Sequence, residues 1–352
     1  MQRLYATATI AEHMRWHSTY PRVSGTMAHP SDAEAWKHFD NTYPDFAEEP
    51  RNVRLGLCTD GFAPFGQFGK SYSCWPVMVT PYNLPPEMCM KKQFIFLSLI
   101  VPGPSNPKQN LDIYLQPLIH ELNELWTTGI LTYDVSMKQN FQLKAALMWT
   151  INDFPAYGML SGWGTAGENA CPYCMKRTKS FWLKHSRKHS WFDCHRQFLP
   201  INHPFRRNKK FFRKDRKMEN DAPPSRLSGE AIWEQVKRLP TILNGTDVQL
   251  KKLKGKREGW WKQSIFWELP YWKTLLIRHN LDVMHIEKNF FEQLINTVMD
   301  VKKKTSYGPR AKLDLSELCG PRPVANFVLN KQKKRTLVQL GIEFEVSGWF
   351  CI

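Results

Sequence analysis

Between Val53 and Pro155 the apolar pattern of this chain changes period in a fixed order. Val53-Arg-Leu-Gly-Leu-Cys-Thr alternates as a strand does and stops at Asp60-Gly61, a turn dipeptide. Tyr72 to Thr80 and Phe94 to Val101 are two further β-rich runs, ended by Pro81 and by Pro102-Gly103. The period then becomes helical: Leu111, Tyr114, Leu115, Leu118, Ile119, Leu122, Leu125 and Trp126 recur between Asn110, a candidate cap, and Gly129, a stop. Phe141 to Ile151 is a continuous apolar run cut off by Asn152-Asp153-Phe154-Pro155, which reads as a buried strand feeding a short helix. The order is β-β-β-α-β.

That order is the first half of an RNase H-like fold, in which three antiparallel strands precede a helix and a fourth strand lies parallel beside the first. The predicted class is therefore α/β: an RNase H-like catalytic core, a mixed sheet flanked by helices, carrying a basic, zinc-binding insertion before a late helix. Residues at the ends of the first and fourth strands become neighbours in such a sheet, so Asp60 and Asp153 are expected to share a metal ion. The predicted divisions are an N-terminal extension (1–50), the first part of the core (51–160), a basic Cys/His insertion (161–270), a helix completing the core (271–300) and a C-terminal tail (301–352).

The chain has 352 residues, 42% of them hydrophobic and 23% charged, which excludes a wholly disordered polymer. Its longest apolar run, Phe94 to Val101, is far shorter than a membrane span, and no secretory leader is expected at Met1. Forty-nine Lys and Arg against 32 Asp and Glu leave a net charge of +17, which makes a polyanion the first partner to consider. The charge is concentrated. Met175 to Lys217 holds fifteen Lys or Arg against Asp193 and Asp215, interleaved with Trp182, Trp191, Phe192, Phe205, Phe211 and Phe212. That mixture suits phosphate neutralisation beside base or sugar packing. Lys184, Arg187, Lys188, Arg196, Arg206, Arg207, Lys209 and Lys210 are the expected DNA contacts; a solvated basic loop is the plainer alternative.

Two-metal phosphoryl chemistry needs converging carboxylates on Mg2+ or Mn2+. Asp60 and Asp153 are candidates, although an Asp-Gly turn and a helix cap would explain each separately. A third lies on the late helix, where Met284, Glu287, Phe291, Leu294 and Val298 form one stripe with Glu287 near its centre. A carboxylate on an inward face must be paired or metal-bound. Asp282 competes with Glu287 but lies about 140° away on a helix, a position better suited to capping. Cys171-Pro-Tyr-Cys174 is half of a zinc site. Spacing alone favours His185 and His189 as its completion over His195 and His203.

Several blocks resemble the transposase of plant CACTA-type DNA transposons. They include Asn52-Val-Arg-Leu-Gly-Leu-Cys-Thr-Asp-Gly-Phe-Ala-Pro-Phe-Gly, Trp75-Pro-Val-Met-Val-Thr-Pro-Tyr-Asn-Leu-Pro-Pro and Tyr114-Leu-Gln-Pro-Leu-Ile. Trp149-Thr-Ile-Asn-Asp-Phe-Pro-Ala-Tyr-Gly, Ala170-Cys-Pro-Tyr-Cys, His195-Arg-Gln-Phe-Leu-Pro, His203-Pro and Asp282-Val-Met-His-Ile-Glu-Lys-Asn follow in the family's order. The resemblance covers roughly residues 1 to 300. It implies a D-D-E cut-and-paste transposase that cleaves and rejoins DNA at transposon ends with divalent metal. The family's acids fall on Asp60, Asp153 and Glu287, and its zinc ligands on Cys171, Cys174, His195 and His203, reversing the spacing preference. Cys194 stands where the family is expected to have Gly, and adds a spare ligand.

The resemblance also implies terminal inverted repeats and target DNA as partners, action in the nucleus and no membrane. The chain is expected to begin inside the usual protein and to stop soon after the third-acid helix, so a homo-oligomer and a separate DNA-binding protein join the expected partners. The alternative is a catalytically inactive or host-retained DNA-binding relic of such an enzyme. A module that binds neither DNA nor metal leaves the +13 segment unexplained.

Overall fold

In the computed structural model of the chain, the expected strand run lies at the centre of a sheet. The structure describes residues 1–66, 72–191, 194–209, 217–243, 259–299, 301, 308–319, 332–333 and 335–336. The described strands are β1 (Val53–Thr59), β2 (Trp75–Pro81), β3 (Phe96–Val101), β4 (Ile130–Asp134), β5 (Gln139–Leu143), β6 (Ala145–Asn152), β7 (Phe181–Leu183), β8 (Lys188–Ser190) and β9 (His279–Leu281). The described helices of eight residues or more are α1 (Glu34–Thr42), α2 (Leu111–Thr127), α3 (Phe154–Ser161), α4 (Gly229–Val236), α5 (Val283–Val298) and α6 (Pro309–Cys319). The chain divides into a first unit, Met1–Lys176 with Arg226–Asp282, and a second, Arg177–Ser225 with Val283–Ile352.

The first unit is a mixed α/β domain. Its five-stranded sheet has the order β3-β2-β1-β6-β9. β1 pairs antiparallel with β2, placing Leu57 opposite Val79, and parallel with β6, placing Leu57 opposite Thr150. β9 adds parallel on the other side of β6, with Leu281 opposite Asn152. Leu55, Leu57, Ala146, Leu147 and Met148 are all buried, because β1 and β6 are covered on both faces as parallel strands usually are. α2 buries Leu111, Leu115, Leu118, Ile119 and Leu122, while Tyr114 of the expected stripe is exposed. Asn110 occupies the expected cap position without a side-chain cap bond, and Gly129 ends the helix at φ +72°.

Three features depart from the sequence expectation, each for a local reason. The run Phe141–Ile151 is two strands: β5 turns back on β4 as a hairpin, and β6 begins only at Ala145. The turn is built by Asp134, whose Oδ1 accepts from Ser136 N and Oγ and from Met137 N, with Lys138 at φ +54°. Residues 1–50, expected as an extension, place Leu4, Tyr5, Met14, Trp36, Phe39 and Phe46 in the main core. Arg54 of β1, 1% exposed, is paired with Asp40 of α1, which fixes this layer to the sheet. Finally, residues 226–270 of the expected insertion also belong to the first unit: Ile265, Phe266 and Leu269 join the core, and Lys262 pairs with Asp112 of α2 in full burial.

The second unit contains the β7–β8 hairpin, with Trp182 opposite His189, and the short helix Pro204–Arg207. The turn of the hairpin is held by α6: Asp314 accepts from the His185 and Ser186 amides at 2.8 and 2.9 Å, and Glu317 meets His185 Nε2 at 3.2 Å.

Candidate active site and nucleic-acid interface

The carboxylates follow from strand ends. Asp60 directly follows β1 and Asp153 directly follows β6, its parallel neighbour, although the paired register itself ends at Leu57 and Thr150. Continuing β9 by one residue sets Asp282 on the other side of Asp153. Each of the three acids therefore follows one of three adjacent strands of the sheet. Asn152 ties these strand ends together. Its Oδ1 accepts from Thr59 N at 3.0 Å, and its carbonyl accepts from Asp282 N at 2.8 Å. Burial, and then the Asp282 carboxylate, raise the Cys58 thiol pKa above the ordinary range.

The local roles expected for the first two acids are present. Asp60 Oδ1 accepts from Gly61 N at 2.6 Å. Asp153 caps α3 by accepting from Ala156 N at 2.8 Å, with Pro155 in the first turn. Among the described residues, no three His, Cys, Asp or Glu side chains converge closely enough to hold a metal. The donor chemistry, hard carboxylate oxygen, nevertheless suits Mg2+ or Mn2+.

Glu287 is placed otherwise than expected. It lies on α5 in the second unit, and Met284, Phe291 and Leu294 of its stripe are exposed rather than inward. A helical apolar stripe identifies a face that favours burial without naming the surface that covers it. Asp282, expected to cap that helix, immediately precedes it and follows β9, its N–H donating to Asn152 O.

The zinc candidates separate by unit. Cys171 and Cys174 share one turn of the first unit, with Cys174 N donating to Cys171 Sγ at 3.3 Å. His195 and His203 belong to the second unit, where His203 caps the short helix by accepting from Phe205 N. Of the alternative pair, His185 meets Glu317 and His189 Nδ1 lies 3.1 Å from Ser180 Oγ.

The expected DNA contacts divide by exposure. Lys184, Arg187 and Lys188 surround the hairpin turn; Lys188, Arg207 and the hairpin's Trp182 are exposed, while Lys184 and Lys209 also reach solvent. Arg206 and Arg196 do not present themselves to DNA as expected. Arg206 is 1% exposed, with its guanidinium among backbone carbonyls, and Arg196 donates to the carbonyls of Phe205, Asn208 and Lys217. Both hold loops that have few apolar residues of their own. Lys210 lies outside the described residues, as do Phe192, Asp193 and residues 211–216. Arg278, one residue before β9, carried no sequence signal, because β9 is only three residues long and has no readable period.

The first unit is a mixed sheet with acids following adjacent strands, and the second unit is rich in cations. The family model of the transposase family tnp2 matches residues 24–239, more than half of the chain. The protein belongs to that family and is a DNA-binding, DNA-processing transposase. No curated protein matches it. The matched segment contains Asp60, Asp153, both cysteines and the basic hairpin; Asp282 and Glu287 lie beyond it.

Proposed function

We propose that the chain is the catalytic part of a CACTA-type D-D-E transposase, built on an RNase H-like core, that cleaves transposon-end DNA in the nucleus and joins it to target DNA. The observation that carries this reading is the strand order β3-β2-β1-β6-β9, with Asp60, Asp153 and Asp282 at the ends of three adjacent parallel strands. Asp60 and Asp153 are the first two acids. Asp282 is the third that the first unit itself supplies, with Glu287 the competing assignment. Mg2+ or Mn2+, when bound, activates the attacking oxygen and stabilises the leaving one. The chain's own part is to hold carboxylates at the ends of adjacent strands and to present Lys184, Arg187, Lys188 and Arg207 to the phosphates.

A structural zinc is proposed on Cys171 and Cys174, whose N–H···S turn suits thiolate ligation. A homo-oligomer or a separate DNA-binding protein would supply end recognition.

A second reading, a DNA-binding relic without cleavage, is favoured by one observation: Asp60 and Asp153 each accept a local backbone N–H, as purely structural residues would. A Mn2+-dependent nicking assay on transposon-end duplex separates the two. Nicking that is lost in both Asp60→Asn and Asp153→Asn, with DNA binding retained, supports the enzyme. Metal-independent binding with no nicking leaves the relic.

A further inference from the structure

Within the first unit, α3, β9, the start of α4 and the Trp260–Trp267 segment enclose a cavity of about 350 Å3. Its polar wall is cationic, with Arg278 and Arg226 both lining it. Arg278 is 8% exposed, and its Nη1 donates to Leu275 O at 2.6 Å. Gly229, the first residue of α4, packs so closely that a Cβ there would fall 2.6 Å from Arg278 Nη1 and 1.9 Å from Lys273 O. The guanidinium is thus wedged against the positive end of a helix. Among the described residues neither arginine forms an ion pair. The acid whose attraction reaches Arg278 is the exposed Glu230, and burial followed by repulsion from Arg226 brings the Arg278 pKa down to about 10. Two cations lining one cavity favour an anionic occupant.

The remaining wall sets the occupant's second property. Trp260 and Trp267 line the cavity with Tyr157. Trp260 is fixed by a hydrogen bond from Nε1 to Gln235 Oε1 at 3.1 Å and by edge packing on Trp163. Trp267 stands 5.9 Å from the Arg278 guanidinium. The cavity is larger than a bare phosphate needs and lies at the small end of the roughly 300–1,000 Å3 typical of ligand pockets. Anion and aromatic ring together describe one nucleotide.

We propose that this cavity binds a single unpaired nucleotide, its phosphate held by Arg226 and Arg278 and its base laid against the Trp260–Trp267 wall. The transposase reading enters only in the source of that nucleotide, a DNA strand or a free nucleoside phosphate.

The test uses the full chain and fluorescence anisotropy. The probes are a labelled duplex with one unpaired thymidine nucleotide and a fully paired duplex of the same length, with thymidine 5′-monophosphate as competitor. The unpaired nucleotide should raise affinity by about tenfold, and the gain should disappear in Arg226→Gln, an exposed position that tolerates substitution, and in Trp260→Leu. Competition by the monophosphate shows that a free nucleotide suffices. A gain that the monophosphate cannot displace assigns the site to a nucleotide within a strand. Equal affinity for the two duplexes together with no monophosphate binding overturns the proposal, as does a gain that survives both substitutions. Nicking on the same substrates is scored in parallel. Nicking with neither response discards the pocket alone, and either response without nicking discards the strand-cleavage reading alone.

Discussion

Arg206 directs its guanidinium at the carbonyls of Arg196, Gln197, Leu199, Glu219 and Asp221. A buried cation so surrounded acts as the centre around which loops fold, because each carbonyl would otherwise lack its partner. Arg206→Ala should therefore destabilise the second unit by about 3 kcal/mol, read as a lowered melting temperature, while leaving the salt slope of DNA binding below the melt unchanged. Composition could not distinguish this arginine from its exposed neighbour Arg207, since both stand in one basic run. Lys262 makes the same point in the first unit. It lies 2.7 Å from Asp112 with both side chains buried, although the pair is poorly aligned for a hydrogen bond. Burial pushes each group toward its neutral form and the partner opposes it, so the Asp112 pKa is raised and that of Lys262 lowered. Lys262→Met, which leaves a buried carboxylate alone, should cost about 3–5 kcal/mol in urea unfolding. The double variant Lys262→Met, Asp112→Leu should recover most of that loss; equal instability of single and double variants would show that packing, not charge, sets the cost.

At the scale of elements, strands β1, β2 and β3 and helix α2 were legible because each combines a clear period with a Gly, Pro or Asp stop. The β4–β5 hairpin was not, because an Asp side chain replaces the usual Gly in its turn. The N-terminal layer was missed for a different reason: its helices are short and its buried aromatics are widely spaced, so no window shows a period. The β7–β8 hairpin is the element on which DNA binding should depend. Lys184, Arg187 and Lys188 changed together to Ala should reduce the slope of log affinity against log salt by about three, one for each phosphate that is no longer neutralised. An unchanged slope would move the DNA path to another surface. The hairpin's turn also has a defined acid limit. Burial opposes ionisation of Asp314, but the bonds from Ser186 and His185 outweigh it and hold its pKa below the ordinary value. A carboxylate with a depressed folded pKa stabilises above its unfolded pKa of about 3.9 and loses that contribution as pH falls through the folded value. The protection factors of the His185 and Ser186 amides should therefore fall below about pH 4, and Asp314→Asn should show the reduced protection already at neutral pH.

Across the whole molecule, the two candidates for the third catalytic acid belong to different units, and that division gives the sharpest test of the site. The positions of Asp60 and Asp153 directly after β1 and β6 were legible because clear strand patterns end just before each. The third acid was not, since β9, the element that places Asp282, is too short to leave a pattern. Helical periodicity therefore assigned Asp282 to the helix that in fact starts one residue later. Its main-chain N–H is bound to Asn152 O, so its backbone position relative to Asp153 is set by sheet hydrogen bonding and does not depend on how α5 is covered. Glu287 has no such tie within the first unit. If the strand-end acids are the site, Asp282→Asn should abolish Mn2+-dependent nicking while leaving melting temperature and DNA affinity nearly unchanged, because an amide keeps the side chain's shape and removes only its charge. Glu287→Gln should then retain most of the nicking. The reverse result, loss in Glu287→Gln with Asp282→Asn active, would require α5 to bring its apolar stripe against the first unit during catalysis, and would make the exposed Met284, Phe291 and Leu294 the surface of that closure. Substituting those three with Ser would then remove nicking as well, whereas it should be silent if Asp282 is the third acid.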